Sequence, residues 1–210
     1  MNEKKICNIL SLMYKKNPKP TVGLLFNSDF ELLISLILSP RSTDISVNKI
    51  TKKIFDIART PYKIYSIGIN NLKTYIKTIG LYNKKSSNII QTCKIIIEKY
   101  NGKIPNNRKD LENLPGVGRK ISNIFLNVLH NLPLIAVDTH VLRVSNRLGL
   151  TNSTNTKIVE SKLTDIIPLR YKMNLHNLFV SFGKKICYSR KPKCKICFLY
   201  VMCEYKNKNY

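Results

Sequence analysis

Near its C-terminus the chain places Cys187, Cys194, Cys197 and Cys203 with six, two and five residues between them, a spacing that brings four thiolates within reach of one centre. A zinc ion and a 4Fe-4S cluster both accept four thiolates, and the Cys194-Lys195-Ile196-Cys197 pair suits either, so spacing leaves the two open. Two disulfides would satisfy the same residues, but a reducing compartment disfavours them. Cys7 and Cys93 fall in helical apolar patterns and are expected in the core. Between the first two candidate ligands, Arg190, Lys191 and Lys193 form a basic loop that suits phosphate contact, although a solvated loop has the same composition.

A second constellation is Leu114-Pro115-Gly116-Val117-Gly118, followed by Arg119 and Lys120. Gly116 and Gly118 lack the Cβ atoms that keep a backbone away from a ligand, and their N–H groups with the positive end of the next helix can grip a phosphate. An ordinary corner between two helices uses the same residues. Lys120 sits in the first turn of that next helix. Its helix N-terminus, the neighbouring cation Arg119 and partial desolvation would all favour the neutral amine, the form that attacks carbon and builds a Schiff base. Taken singly, it is one more surface lysine in a chain rich in them. Asp138 precedes Thr139-His140-Val141-Leu142-Arg143 at an N-cap position. A carboxylate fixed there is also a rigid charge to set near a developing cation, and the helix dipole favours its ionised form.

The elements that must position these groups read as helices. Apolar residues recur with a helical period over about 43–58, 70–77, 84–100, 119–131, 139–148, 155–166 and 171–185, with a short piece around 110–113. Ser28-Asp29-Phe30-Glu31 has the form of a capping box ahead of the apolar run 32–38. Pro40, Pro61, Pro105, Pro115, Pro133 and Pro168 are read as separators between segments. The fold class expected is all-α, with no internal repeat and no low-complexity linker.

The chain has 210 residues, enough to bury a core as one domain or two small ones, and 43% hydrophobic residues argue against disorder. No apolar run reaches membrane-spanning length, and the N-terminus lacks the pattern of a secretory signal, which excludes both classes and leads to a cytoplasmic, nucleoid-associated address as the expectation. With 36 basic against 12 acidic residues the formal net charge is +24, which points first to a polyanion. Abundant Lys, Asn and Ile are also what A·T-rich coding produces, so charge alone does not choose between nucleic acid and solvated faces.

Together, the hairpin ending in Lys120, the Val137-Asp138-Thr139-His140 segment and the four-cysteine tail resemble the endonuclease III family of helix-hairpin-helix DNA glycosylases. Phe30-Glu31-Leu32-Leu33-Ile34, Thr43-Asp44-Ile45-Ser46-Val47-Asn48-Lys49 and Tyr75-Ile76-Lys77-Thr78-Ile79-Gly80-Leu81-Tyr82-Asn83 extend the resemblance over nearly the whole chain. It implies a six-helix domain over 22–132 carrying the hairpin, a second helical domain from 1–21 and 133–210, and double-stranded DNA with damaged pyrimidines or abasic sites as partner of a monomer. It also implies iron-sulfur rather than zinc on the four cysteines. Lys120 would be the nucleophile and Asp138 the stabiliser of positive charge, giving a bifunctional glycosylase and lyase. Gly116, Gly118, Arg190 and Lys191 would contact DNA, and Leu81 would enter the gap left by a flipped base.

One loop departs from the pattern. The family usually reads Ala-Gln-Ala or a close variant before Thr-Asp, where this chain has Ser39-Pro40-Arg41-Ser42 before Thr43-Asp44. Arg41 has a planar guanidinium that can enter a base stack, yet its charge and the preceding proline change the contacts available to the orphaned base. Three other readings are weighed beside this one. An adenine-specific relative usually lacks the lysine and carries an extra C-terminal domain. A DNA-binding module would keep the hairpin without the chemistry, and a zinc-stabilised RNA binder would need stacking aromatics that no motif here supplies.

Overall fold

The computed structural model describes residues 2–208, and every regular element among them is helical. The helices are α1 (Glu3–Lys16), α2 (Asp29–Leu38), α3 (Asp44–Ile57), α4 (Pro61–Ile76), α5 (Tyr82–Tyr100), α6 (Arg108–Glu112), α7 (Arg119–His130), α8 (Thr139–Arg147), α9 (Thr156–Ile166) and α10 (Leu169–Lys185), followed by a 3-10 turn at Cys194–Ile196. No helix among the described residues is long and apolar enough to cross a membrane.

Side-chain caps set where these helices begin. Ser28, Thr43, Thr60, Asn107, Asp138 and Asn155 each accept a backbone N–H from the first turn of the helix they precede, satisfying donors that have no partner inside the helix. At α2, Ser28 accepts from the Glu31 N–H at 3.2 Å while the Glu31 carboxylate reaches back to the Asn27 N–H at 2.7 Å.

Two elements differ from the sequence expectation. Helix α1 was not anticipated: its polar, basic surface hides the stripe Ile6, Ile9, Leu10 and Met13, which is buried. Helix α4 starts at Pro61 rather than near residue 70, because a proline at the first helical position loses no hydrogen bond and is a start signal there instead of a separator. The helix is broken at Gly68 (φ 76°, ψ 165°), which is why only its second half shows a clear period.

The chain divides into two compact units, Gly23–His130 and a unit made of Met1–Val22 with Asn131–Tyr210. In the first, α2 is buried on every side, from Phe30 to Leu38, and packs against α3, α5 and α7. Such an all-round apolar helix belongs at the centre of a bundle. Cys93 on α5 is fully buried there, and burial pushes its thiol up to about 12, so it is an inert core residue. In the second unit, α10 packs against α1 and α8 around Leu10, Val141, Val144, Leu175, Leu178 and Phe179. Cys7 corrects the expectation made for it. It is only half-buried on α1, and its sulfur accepts an N–H from Arg170 at 3.5 Å, because its position lies beside the α1 apolar stripe rather than in it.

Candidate functional site

In the Gly23–His130 unit, α6 and α7 pack together and are joined by the glycine hairpin. Leu114 and Val117 are buried and pin the turn, whose Val117 N–H bonds the Leu114 carbonyl at 3.0 Å. From α5, the Thr92 hydroxyl donates to the Pro115 carbonyl at 2.9 Å. Gly116 has φ +83°, and a Cβ there would meet the Asn88 side-chain nitrogen at 2.8 Å, so both the backbone conformation and the close approach require glycine. Gly118 differs: a Cβ would meet nothing within 4 Å, which leaves the backbone before α7 open to a ligand. Lys120 follows on the exposed first turn of α7. On the same turn, the Ser122 hydroxyl lies 3.1 Å from a Glu112 carboxylate oxygen and 3.0 Å from the Arg119 carbonyl, linking the two helices of the hairpin.

Arg41 and Leu81 come together in this unit on adjacent loops. Ser39, Pro40, Arg41 and Ser42 form a turn closed by the Ser42 N–H on the Ser39 carbonyl at 3.0 Å. Proline at its second position and a positive φ (58°) for Arg41 at its third are the pattern of a type II turn. The proline that departs from the family pattern thus pre-forms the turn, and Arg41 at its crest is exposed. Leu81 also has a positive φ (63°) and stands 51% exposed at the start of α5, too exposed for the core leucine that a helix boundary would otherwise suggest. The loops touch where a Cβ on Gly80 would lie 3.4 Å from the Arg41 carbonyl oxygen.

In the other unit Asp138 caps α8. Its Oδ1 accepts the N–H groups of His140 and Val141, each at 2.8 Å, so the half-buried carboxylate is fixed in direction. On the same helix Arg143 donates to the carbonyls of Cys187 (3.0 Å) and Gly183 (3.1 Å). Its contact with His140 Nδ1 at 3.1 Å makes that nitrogen the acceptor, since a guanidinium only donates. One turn on, Arg147 donates to the carbonyls of Tyr188 (2.6 Å) and Ser189 (2.8 Å) and lies 3.4 Å from the Cys187 sulfur. These two arginines hold the cysteine tail to α8. Sequence reasoning passed over them, although their i, i+4 spacing behind Asp138 puts both on one helix face.

Cys187, Cys194, Cys197 and Cys203 are all half-buried, free of disulfides, and line one small cavity with Phe182, Ile186, Pro192 and Tyr205. Burial raises the thiols of Cys197 and Cys203 above their usual range, and neighbouring sulfurs push the same way. Four thiolates in that setting repel one another, and a cationic centre between them removes the penalty. Among the described residues, no group of three or more His, Cys, Asp or Glu side chains is arranged to hold a metal ion. Arg190 and Lys191 project from the tail loop as exposed cations, Lys191 with φ 49°, while Lys193 lies over the Tyr188 ring at 5.4 Å.

Residues 34–169 match the HhH-GPD superfamily base excision DNA repair protein family. Endonuclease III of Buchnera aphidicola subsp. Acyrthosiphon pisum is 53% identical over 208 residues, covering 99% of each chain, and that of Escherichia coli K12 is 47% identical over 208 residues with the same coverage. Among solved structures, a trapped endonuclease III–DNA covalent intermediate superposes with a TM-score of 0.92 at 39% identity, covering 97% of this chain and 96% of that one. A non-covalent endonuclease III–DNA complex matches with the same score.

Proposed function

The chain belongs to the endonuclease III family of the HhH-GPD superfamily, and from that premise we infer a bifunctional DNA glycosylase and abasic-site lyase acting on oxidised pyrimidines in duplex DNA. The observation that carries this reading is the hairpin: a backbone left open at Gly118, the positive end of α7 behind it, and a lysine on the first turn. Phosphate gripped there brings the sugar of a flipped nucleotide to the amine. Flipping costs a few kcal/mol of stacking and pairing, less at a damaged pair, which already biases the enzyme toward lesions.

In the proposed mechanism the Lys120 amine attacks C1′ of the flipped nucleoside as the C1′–N bond to the base breaks. Asp138 is the carboxylate assigned to the positive charge that develops on the sugar, and the base leaves with the bonding electron pair and is protonated. Ring opening yields a protonated Schiff base between Lys120 and C1′. That group withdraws electrons, so a C2′ proton is removed and the 3′ phosphate leaves by β-elimination. Hydrolysis of the imine by water then frees Lys120. Arg41 and Leu81, on touching loops with both side chains exposed, are assigned to the gap left in the base stack. Arg190 and Lys191 are assigned to backbone phosphates, where they add affinity without sequence preference.

A 4Fe-4S cluster on Cys187, Cys194, Cys197 and Cys203 is the cofactor we propose. Its support is the donor set: four half-buried cysteines, free of disulfides, line one cavity, and four thiolates are the ligands such a cluster takes. Its contribution is to order the tail and so to place Arg190 and Lys191. Chromosomal duplex as substrate puts the enzyme with the nucleoid in the cytoplasm.

Borohydride trapping tests the mechanism. Wild type on duplex DNA with one oxidised pyrimidine should give a covalent complex, and Lys120→Ala should give none, with lyase turnover falling on the order of 10⁴-fold. Trapping by Lys120→Ala at the wild-type level would remove the assignment of the nucleophile.

A further inference from the structure

Lys85 is a buried cation that the mechanism leaves unused. It lies on the first turn of α5 and is 4% exposed, in a chain whose other lysines are spent on the surface. Its Nζ donates to three oxygens: the Leu38 carbonyl at 2.8 Å, the Pro40 carbonyl at 2.7 Å and the Ser42 hydroxyl at 3.1 Å. None of these acceptors is a carboxylate, so its charge is answered by dipoles alone. Burial lowers the ammonium to about 8, which leaves it mostly charged at neutral pH.

Its setting explains why a charge is kept there. The C-terminal carbonyls of α2 lack helical partners and form the negative end of its dipole, and α2 has no basic residue of its own in its last turn. Lys85 supplies that missing cation from another helix and, through the same three donors, clamps the turn that carries Arg41. Its own N–H bonds the Leu81 carbonyl at 3.0 Å, so one residue is tied by its main chain to one exposed loop and by its side chain to the other.

Resting on the assignment of Arg41 to the base stack, we propose that Lys85 is a positioning residue that fixes the Ser39-Pro40-Arg41-Ser42 turn, and with it the guanidinium that fills the gap left by the flipped nucleotide. Leucine or methionine would fill the space but would leave the buried Leu38 carbonyl and the part-buried Pro40 carbonyl without that donor. The turn would then be free to leave the geometry in which Arg41 has a positive φ.

The test is a double-mutant cycle of Lys85→Met and Arg41→Ala. Its readouts are kcat/KM on lesion-bearing duplex, fluorescence of 2-aminopurine placed opposite an abasic analogue, and unfolding by circular dichroism. Lys85→Met should lower duplex kcat/KM by about 10- to 100-fold, the scale on which an ångström of misplacement is felt, and should change the 2-aminopurine signal in the same sense as Arg41→Ala. In the Arg41→Ala background it should add little. Losses that multiply, or a wild-type 2-aminopurine signal in Lys85→Met, would overturn the positioning role while leaving Arg41 in place. An Arg41→Ala enzyme with wild-type activity and signal would instead overturn the Arg41 assignment, and the role of Lys85 with it. Should Lys85→Met fail to fold, Ser42→Ala removes one of the three acceptors and should show the same non-additivity at smaller size; its absence there counts against the proposal equally.

Discussion

The glycine hairpin with its neighbouring loops and the cysteine tail are held in place by different physics. The hairpin lies on a bundle core in which α2 is buried all round, and its turn is pinned by Leu114 and Val117. The tail has little core of its own. Of its described residues beyond Cys187 only Pro192 and Leu199 are buried; its loop is held by Arg143 and Arg147 through carbonyls, and its four cysteines line a cavity. Where apolar burial supplies the stability, individual polar groups can be spent on placing a loop, the role proposed for Lys85. Where it does not, polar groups and the ligands of the proposed cofactor must supply the stability themselves.

The sharpest way to break this contrast is to remove a tail ligand. Cys197→Ala should abolish iron binding and release the tail, while hydrogen exchange of α2 and α5 stays protected. A tail that remains protected without iron would show that burial holds it after all.

The role proposed for Asp138 combines placement and chemistry at one residue. Asp138→Asn keeps an oxygen acceptor for the α8 N-terminus and loses the charge, so stability should hold while base excision falls on the order of 100-fold. Asp138→Ala should match that loss and cost about 1 kcal/mol more in denaturant titration, the value of a helix cap. Equal stability of the two variants would mean that the cap bonds contribute nothing.

A smaller effect is expected at the hairpin itself. Gly116→Ala meets both a positive φ and the Asn88 side chain, and should cost about 1–3 kcal/mol of stability with weaker DNA binding at unchanged iron content. Iron loss in that variant would undo the separation of the two regions.

The smallest effect is in pH. With its folded value lowered to about 8 from 10.5, Lys85 is charged in both states below pH 8, where the folded protein bears the cost of burying it. Between about 8 and 10.5 the unfolded chain binds more protons, so wild-type stability should rise with pH relative to Lys85→Met over that window. Paired urea titrations at pH 7 and 9.5 read the difference, and a constant gap between the two proteins would count against a depressed Lys85.

Local pattern was enough to find most of the helices, the capping box at Ser28, the N-cap role of Asp138 and the grouping of Cys187, Cys194, Cys197 and Cys203, because each depends on residues within a few positions of one another. The family resemblance, rather than spacing, supplied the roles of Lys120, Arg41 and Leu81. Helix α1 escaped notice because its apolar stripe is narrow and surrounded by charge, and the first half of α4 because Pro61 reads as a stop and Gly68 interrupts the period.

Tertiary structure decided what distant residues do to one another. Lys85 looked like any other lysine until the fold carried α5 against the end of α2, and Pro40 looked like an obstacle until its turn proved to place Arg41 at a positive φ. Arg143 and Arg147 acquired a purpose only when the tail folded back onto α8. The sequence by itself determined the periods, caps and chemical types, since those follow from local backbone preference and side-chain reactivity. Burial and the partner of each charge were left to the fold, because desolvation and hydrogen-bond geometry depend on which distant groups come within about 3 Å.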